Sequence, residues 1–126
     1  SAASDVYKRQ VEKMRCAGKN VILEIDVQGA MQVKENCKDA ILVFIMPPSI
    51  AELERRLRKR GTETDEVISR RIAKAVDEIS FAHKYNYVVV NDELEKAVED
   101  LKSVISAEEH KAGYAEEFIN EVLKNA

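Results

Sequence analysis

The sequence has 126 residues, of which 45% are hydrophobic and 34% are charged, and its formal net charge is -3. This size suits one ordinary domain or part of one, and the composition is that of a soluble, helix-rich protein. The charge balance gives no reason to expect nucleic acid or a membrane as a partner, no apolar run is long enough to span a bilayer, and the two cysteines fit a reducing compartment, so the expected location is cytoplasmic.

Residues 1–10 are polar and show no pattern, and we expect a disordered or non-native start there. The short β-branched run Val21–Ile25 favours a buried strand over a helix. Glu24 and Asp26 lie two residues apart, so on a strand they would point the same way. At the carboxyl edge of a parallel sheet, where ligands bind, they would face Mg²⁺, an amine or a guanidinium. A plain strand end with two solvated acids is the alternative.

The residues that follow predict a helix, a strand and a second helix. Ala30–Cys37 is expected to be a short helix, and Ala40–Met46 is apolar on both faces, which predicts a central strand covered by helices on each side. Two prolines end that strand. Ser49 and Glu52 then have the spacing of a capping box, and Gly61 is a good residue to end the helix that they begin.

A dense basic cluster, Arg55–Arg60, ends this helix. Solvated cations near the negative end of a helix dipole are the simplest interpretation. However, Thr62–Asp65 follows at once and starts another helix, which carries Arg70 and Arg71 in its second turn. Arginines on both arms of a helix–loop–helix can close over a polyanion, because arginine suits bidentate contact with phosphate.

The remainder continues the alternation of helices and strands. Tyr85–Asn91 is predicted to be a third strand, Asp92 and Glu95 are spaced as a capping box for the next helix, and Tyr114–Lys124 is predicted to be a loosely docked tail helix. The two histidines have no partner pattern around them and are interpreted as surface or interhelix residues. This order of elements predicts an α/β domain with a parallel sheet and helical layers.

With these elements in order, the chain resembles guanylate kinases over about Val11–Glu109. Five segments carry the resemblance, in the right order and at the right separations: Val21–Ala30, Pro47–Ser49, Arg60–Thr64, Ile68–Arg71 and Val88–Asp92. The resemblance implies a P-loop nucleoside-monophosphate-kinase-like α/β fold, with residues 11–109 forming core and lid (lid about 56–76) and residues 110–126 a C-terminal tail helix.

The resemblance also implies a function and a set of site residues. The activity would be ATP-dependent phosphorylation of GMP to GDP, with GMP and ATP as small-molecule partners and Mg²⁺ held mainly through the nucleotide phosphates rather than by a direct protein ligand. Glu24 and Asp26 match GMP-binding acids, with Asp26 at the guanine ring. Arg56, Arg60 and Arg71 match the catalytic lid arginines. Arg56, Arg60 and Asn91 match ATP-binding positions.

One departure from the family pattern affects these expectations. The sequence contains no G-x-x-x-x-G-K-[ST] phosphate loop and no counterpart of the family's other GMP-binding region. We therefore expect a truncated chain, an incomplete sheet that lacks the phosphate-loop strand, and no activity from this chain alone. A non-catalytic guanylate-kinase-like interaction module, a kinase for another nucleoside monophosphate and a basic RNA-binding hairpin are the alternatives. The retained arginines and Asp26 favour the enzyme, and the sequence leaves the oligomeric state open.

Overall fold

The computed structural model describes residues 8–13 and 20–126. Residues 8–13 are helical. The elements that follow are α1 (Val27–Asn36), β1 (Val43–Met46), α2 (Ile50–Arg60), α3 (Asp65–Ile79), β2 (Tyr87–Val90), α4 (Leu94–Glu109) and α5 (Glu116–Lys124), with short 3-10 helices at Ala82–Lys84 and Ala112–Ala115. None of the described helices is both long enough and apolar enough to cross a membrane. Most of the region predicted to be a disordered start, residues 1–7, lies outside the described residues.

The two strands form a parallel pair, in register from Val43 beside Tyr87 to Met46 beside Val90. Backbone bonds continue the pairing past the carboxyl end, where the Asn91 N–H donates to the Met46 carbonyl at 2.7 Å. The predicted parallel α/β arrangement is confirmed, as a small sheet within an incomplete P-loop-kinase-like fold. Both strands are shorter than predicted, because the ladder closes over only four residues of each.

The predicted strand at Val21–Ile25 is wrong. Residues 21–26 form neither helix nor strand, and Ile22 is 76% exposed, with Leu23 and Ile25 also exposed. A strand persists only where its N–H and C=O groups pair with a neighbour. In the described part of the chain β1 and β2 pair only with each other, so this β-prone run has no ladder to join.

Complete burial of the second strand is also wrong. Phe44 is 9% exposed while its partner Val88 is 48% exposed, and Val89 is 3% exposed while its partner Ile45 is 55% exposed. Side chains of paired residues lie on the same face, and successive residues alternate between faces. Each face of the sheet is therefore covered over one strand and open over the other, within the residues that the structure describes.

Local capping sets the limits of the lid helices largely as predicted. The Ser49 hydroxyl accepts from the Glu52 N–H at 3.0 Å to begin α2, and Gly61 ends it with a left-handed φ of 66°. The Thr64 hydroxyl caps α3 by accepting from the Val67 N–H at 3.3 Å. The reciprocal half of the predicted capping box is wrong, because the Glu52 carboxylate bonds to arginines one turn ahead instead.

The capping box predicted for Asp92 and Glu95 is wrong as well. Helix α4 begins one residue later, with Glu93 as N-cap and no side-chain capping bond. The Glu93 carbonyl accepts the first helical bond, from Ala97 N–H at 2.9 Å, whereas the Asp92 carbonyl accepts from Arg56 at 3.0 Å. The Asp92 carbonyl is thus bonded to a distant segment, and the first helical bond is accepted by the next residue.

The hydrophobic core is small and draws on most elements. Its members are less than a tenth exposed: Ala30, Leu42, Phe44, Leu57, Ile68, Val89 and Ala97. Phe44 packs edge-to-face on Tyr85, with ring centroids 5.0 Å apart. By contrast, Phe118 and Leu123 of α5 are 70% and 66% exposed, so the tail helix presents an open apolar side.

A polar cluster joins the end of α4 to β2. The Tyr87 hydroxyl donates to Glu108 Oε1 at 2.6 Å, and Lys111 Nζ lies 2.6 Å from Oε2 of the same carboxylate. Lys111 is the main cause of a lowered pKa at Glu108, and the bond to Glu108 raises the pKa of Tyr87. The Glu108 carboxylate is therefore held by a hydrogen bond from Tyr87 and an ion pair with Lys111 at the last turn of α4.

Candidate functional site

Arg56 joins α2 to the carboxyl end of the sheet. Its Nη1 donates to the Asn91 carbonyl at 2.7 Å and its Nη2 to the Asp92 carbonyl at 3.0 Å, directly after β2. Its Nε donates to Glu52 at 3.0 Å. The carboxyl ends of parallel strands are where α/β sheets bind ligands. The structure therefore places Arg56 against Asn91, two residues that the resemblance assigns to ATP.

These contacts leave Arg56 part of its binding capacity. A guanidinium has five N–H groups, and the three bonds to Glu52, Asn91 and Asp92 use one on each nitrogen. One N–H on each terminal nitrogen remains for an anion. The Arg56 side chain is 32% exposed, and the nearest further acceptor that the structure shows is Asp92 Oδ1, 3.9 Å from Nη2.

Helices α2 and α3, with the loop between them, form a hairpin that we call the lid hairpin (Ile50–Ile79). Leu57 and Ile68 are buried in the described structure, one from each arm. Two ion pairs join its parts: Arg58 Nη1 to Asp65 Oδ1 at 2.7 Å, and Arg71 Nη2 to Glu63 Oε1 at 2.8 Å. The bond to Asp65 is the main cause of a raised pKa at Arg58. The tip of the hairpin is thus held by charge pairs rather than by a large apolar core.

The lid hairpin also carries cations without a partner in the described part of the chain. The side chain of Arg60, the last residue of α2, is exposed and forms no ion pair or hydrogen bond there. Three further exposed cations of the hairpin, Lys59, Arg70 and Lys74, are in the same condition. Unpaired guanidinium and ammonium groups on a hairpin seated at a sheet edge are suited to contact a phosphate.

The two acids before α1 occupy positions that the sequence did not predict. Asp26 is the N-cap of α1: its Oδ1 accepts from the Gly29 N–H at 2.8 Å. This cap starts α1 at Val27, three residues before the predicted start. A Cβ at position 29 would lie 3.0 Å from that oxygen, so glycine permits the approach. Glu24 is exposed and has no ion pair or hydrogen bond among the described residues.

Asp26 lies near Tyr85, at the amino end of β2. Burial is the main cause of a raised pKa at Tyr85, and the charges of Glu78 and Asp26 add to it. Asn91 and its Arg56 contact lie beyond the other end of the same strand. No hydrogen bond or ion pair of the described residues joins Glu24 or Asp26 to the lid arginines. The structure therefore joins two of the positions assigned to ATP, Arg56 and Asn91, and no hydrogen bond or ion pair of the described residues connects them to Glu24 or Asp26.

The order of these elements and their charged residues agrees with the comparisons. A family model described as "Guanylate kinase" matches residues 5–108, which include both strands and the whole lid hairpin. This chain belongs to the guanylate kinase family.

Guanylate kinases that resemble this chain come from several bacteria. The guanylate kinase of Clostridium tetani is 55% identical over 101 residues, covering 80% of this chain and 49% of the relative. That of Geobacter sulfurreducens is 46% identical over 115 residues, covering 91% and 57%. The crystal structure of guanylate kinase from Anaplasma phagocytophilum superposes with a TM-score of 0.54 at 34% identity, covering 69% of this chain and 40% of that one. The chain spans about half the length of the curated relatives it matches.

Two acids of this guanylate kinase family member were not predicted as site partners. Glu52 forms a bidentate pair with Arg55, at 2.8 and 2.6 Å, besides its bond to Arg56. The Arg55 hydrogen bond is the largest cause that lowers the pKa of Glu52 to about 2. The spacing of three and four residues on one helix was the available signal. Glu63, eight residues from Arg71, follows no such periodic rule.

Proposed function

We propose that this chain is part of a guanylate kinase that transfers the γ-phosphoryl group of ATP to GMP in purine nucleotide metabolism in the cytoplasm, giving ADP and GDP. The observation that carries the proposal is the seating of the lid hairpin by Arg56 on the carboxyl end of β2. In phosphoryl transfer, the protein mainly positions groups and stabilises charge on the transferring phosphoryl. A hairpin that holds one guanidinium at that edge and carries further arginines is suited to both tasks.

The lid arginines would act on the phosphates from different starting positions. Arg56 offers its two remaining N–H groups beside Asn91, where ATP would bind. Arg60 has no competing partner among the described residues, so it is free to close on the phosphates. Arg71 keeps one contact to Glu63 and has further N–H groups to donate. These catalytic roles rest on family membership together with the placement of the three guanidiniums.

The acids would serve the GMP side. Asp26 caps α1 through one oxygen, which leaves its other oxygen able to accept from the guanine N1–H and amino group. Glu24 is an exposed carboxylate without a partner among the described residues, so it can accept a hydrogen bond from GMP. The Mg²⁺ ion would be held chiefly by the nucleotide phosphates and would neutralise their charge.

A chimaera tests the proposal directly. In this chimaera, the matched segment of this chain replaces the corresponding segment of the Clostridium tetani guanylate kinase, over the 101 residues of the match. We expect ADP formation that depends on GMP, measured in a coupled assay, and much less with AMP. A folded chimaera that produces no ADP with GMP would contradict the proposal.

We also propose that the 126-residue chain alone does not phosphorylate GMP, because it has no phosphate loop to hold the nucleotide. The same coupled assay applies. Turnover that survives repurification and disappears in the Arg71→Ala variant would contradict this part of the proposal.

A further inference from the structure

Glu63 is unusually enclosed for a carboxylate in a short loop. It lies between the end of α2 and the Thr64 cap of α3, yet its side chain is only 17% exposed. Its neighbours Thr62 and Thr64 are exposed. Charged side chains are rarely enclosed without a partner, because desolvation of a carboxylate is costly. An enclosed carboxylate such as Glu63 therefore needs a cationic partner, and the structure shows one.

That cation is Arg71, whose Nη2 lies 2.8 Å from Glu63 Oε1. Arg71 is in the second turn of α3, and helical side chains point back towards the helix N-terminus, which carries its guanidinium to the loop. The pair is asymmetric, since the Arg71 side chain is 54% exposed. The second oxygen, Glu63 Oε2, is buried and accepts no hydrogen bond in the described structure.

This asymmetry decides which partner gives way when an anion arrives. If Arg71 left Glu63, an enclosed carboxylate would lose its one recorded cation, which costs more than a single exposed phosphate contact returns. The ion pair involves only Nη2 of Arg71, and a guanidinium has five N–H groups on three nitrogens. Arg71 can therefore keep its ion pair with Glu63 and still form a bidentate contact with a phosphate.

We propose that Glu63 is a positioning residue, which holds the Arg71 guanidinium in the orientation that meets the nucleotide phosphates. This role rests on the proposed function, in which Arg71 contacts those phosphates. The carboxylate fixes one end of the guanidinium so that its remaining N–H groups point away from the loop. Pre-orientation reduces the rotamer entropy lost on binding.

Removal of one negative charge has opposite expected effects on anion binding if Glu63 positions Arg71 and if Glu63 acts only through its charge. We would measure the binding of inorganic triphosphate to the 126-residue chain by calorimetry, in the wild type and in Glu63→Gln and Glu66→Gln variants. Both variants remove one negative charge, which by charge alone should tighten the binding of an anion. Glu66 is exposed on the first turn of α3 and has no ion pair in the described chain, so it is the matched control. We expect Glu63→Gln to weaken binding about fivefold, the loss of an oriented charged contact, while Glu66→Gln leaves it equal or tighter.

The Arg71→Ala background identifies the route of the effect. There, Glu63→Gln should change triphosphate affinity no more than Glu66→Gln does, because the positioned group is gone. Weakening that persists without Arg71, or Glu63→Gln binding that matches the control in the wild-type background, would overturn positioning while the proposed function stands. A folded wild type that does not bind triphosphate, with helical circular dichroism intact, would overturn the positioning role, while the proposed function, which the chimaera tests, stands.

Discussion

Replacement of Arg56 by lysine should destabilise the chain, because the contacts of Arg56 join the lid hairpin to the sheet. Arg56 donates three charge-assisted bonds, to Glu52 and to the carbonyls of Asn91 and Asp92. Lysine keeps the charge but cannot reach two carbonyls in a fork. Each such bond contributes about 1.5–3 kcal/mol when shielded, and the 32% exposure of the side chain reduces this. We expect Arg56→Lys to lower the free energy of unfolding by about 2 kcal/mol, or the Tm by about 8 °C for a chain of this size.

Arg55→Lys is the matched control for this measurement. Arg55 is one residue away, has a side chain that is 61% exposed, and bonds only to Glu52 in its own helix. Its replacement should leave stability unchanged, because exposed pairs contribute little. Urea and thermal unfolding followed by circular dichroism measure both variants. If Arg56→Lys were as stable as the wild type, or if Arg55→Lys lost as much stability as Arg56→Lys, the bonds from Arg56 to Asn91 and Asp92 would not hold the hairpin on the sheet.

Three further predictions concern caps and charge. Gly61→Ala should lower the free energy of unfolding, measured in urea, by about 1 kcal/mol. Gly61 has a φ of 66° and no atom lies within 4 Å of an added Cβ, so the cost comes from backbone strain alone. An unchanged free energy of unfolding would show that the left-handed turn is not formed. Asp26→Asn should leave the stability of α1 unchanged, since asparagine caps a helix equally well. The variant should lower the preference of the chimaera for GMP over AMP, because the amide adds hydrogen-bond donors. An unchanged preference would show that Asp26 does not recognise the base. The pKa of Glu52 is lowered from 4.5 to about 2, so its contribution to stability is complete above pH 4.5 and is lost as the pH falls towards 2. The Glu52→Gln variant should therefore lose less Tm between pH 5 and pH 2 than the wild type, and equal losses would contradict the ion pairs.

The elements that the sequence predicted best are those with local signals. The lid helices begin and end at their own caps, Ser49, Thr64 and Gly61, so neighbouring residues sufficed to place them. The run Val21–Ile25 failed for the opposite reason: its β-branched residues have strand propensity, but a strand depends on a partner that residues 20–126 do not supply.

The candidate site divides along the same line. Five ordered segments, which include Arg60, Arg71 and Asn91, indicated the family, and family membership is confirmed. The bonds from Arg56 to carbonyls 35 and 36 residues away could not be predicted, because backbone acceptors leave no pattern in a sequence. The Glu63 pair depends on how a loop folds back against the second turn of a helix.

The central proposal is that the lid arginines stabilise charge on the transferring phosphoryl group. The most direct test is steady-state kinetics of the Arg60→Ala variant of the chimaera, because the Arg60 side chain has no hydrogen bond or ion pair among the described residues that its loss would disturb. We expect kcat to fall by about two orders of magnitude with a smaller change in the KM for GMP, as for a group that acts in the transition state. A rise in KM with kcat unchanged would contradict the proposal and make Arg60 a residue of uniform substrate binding.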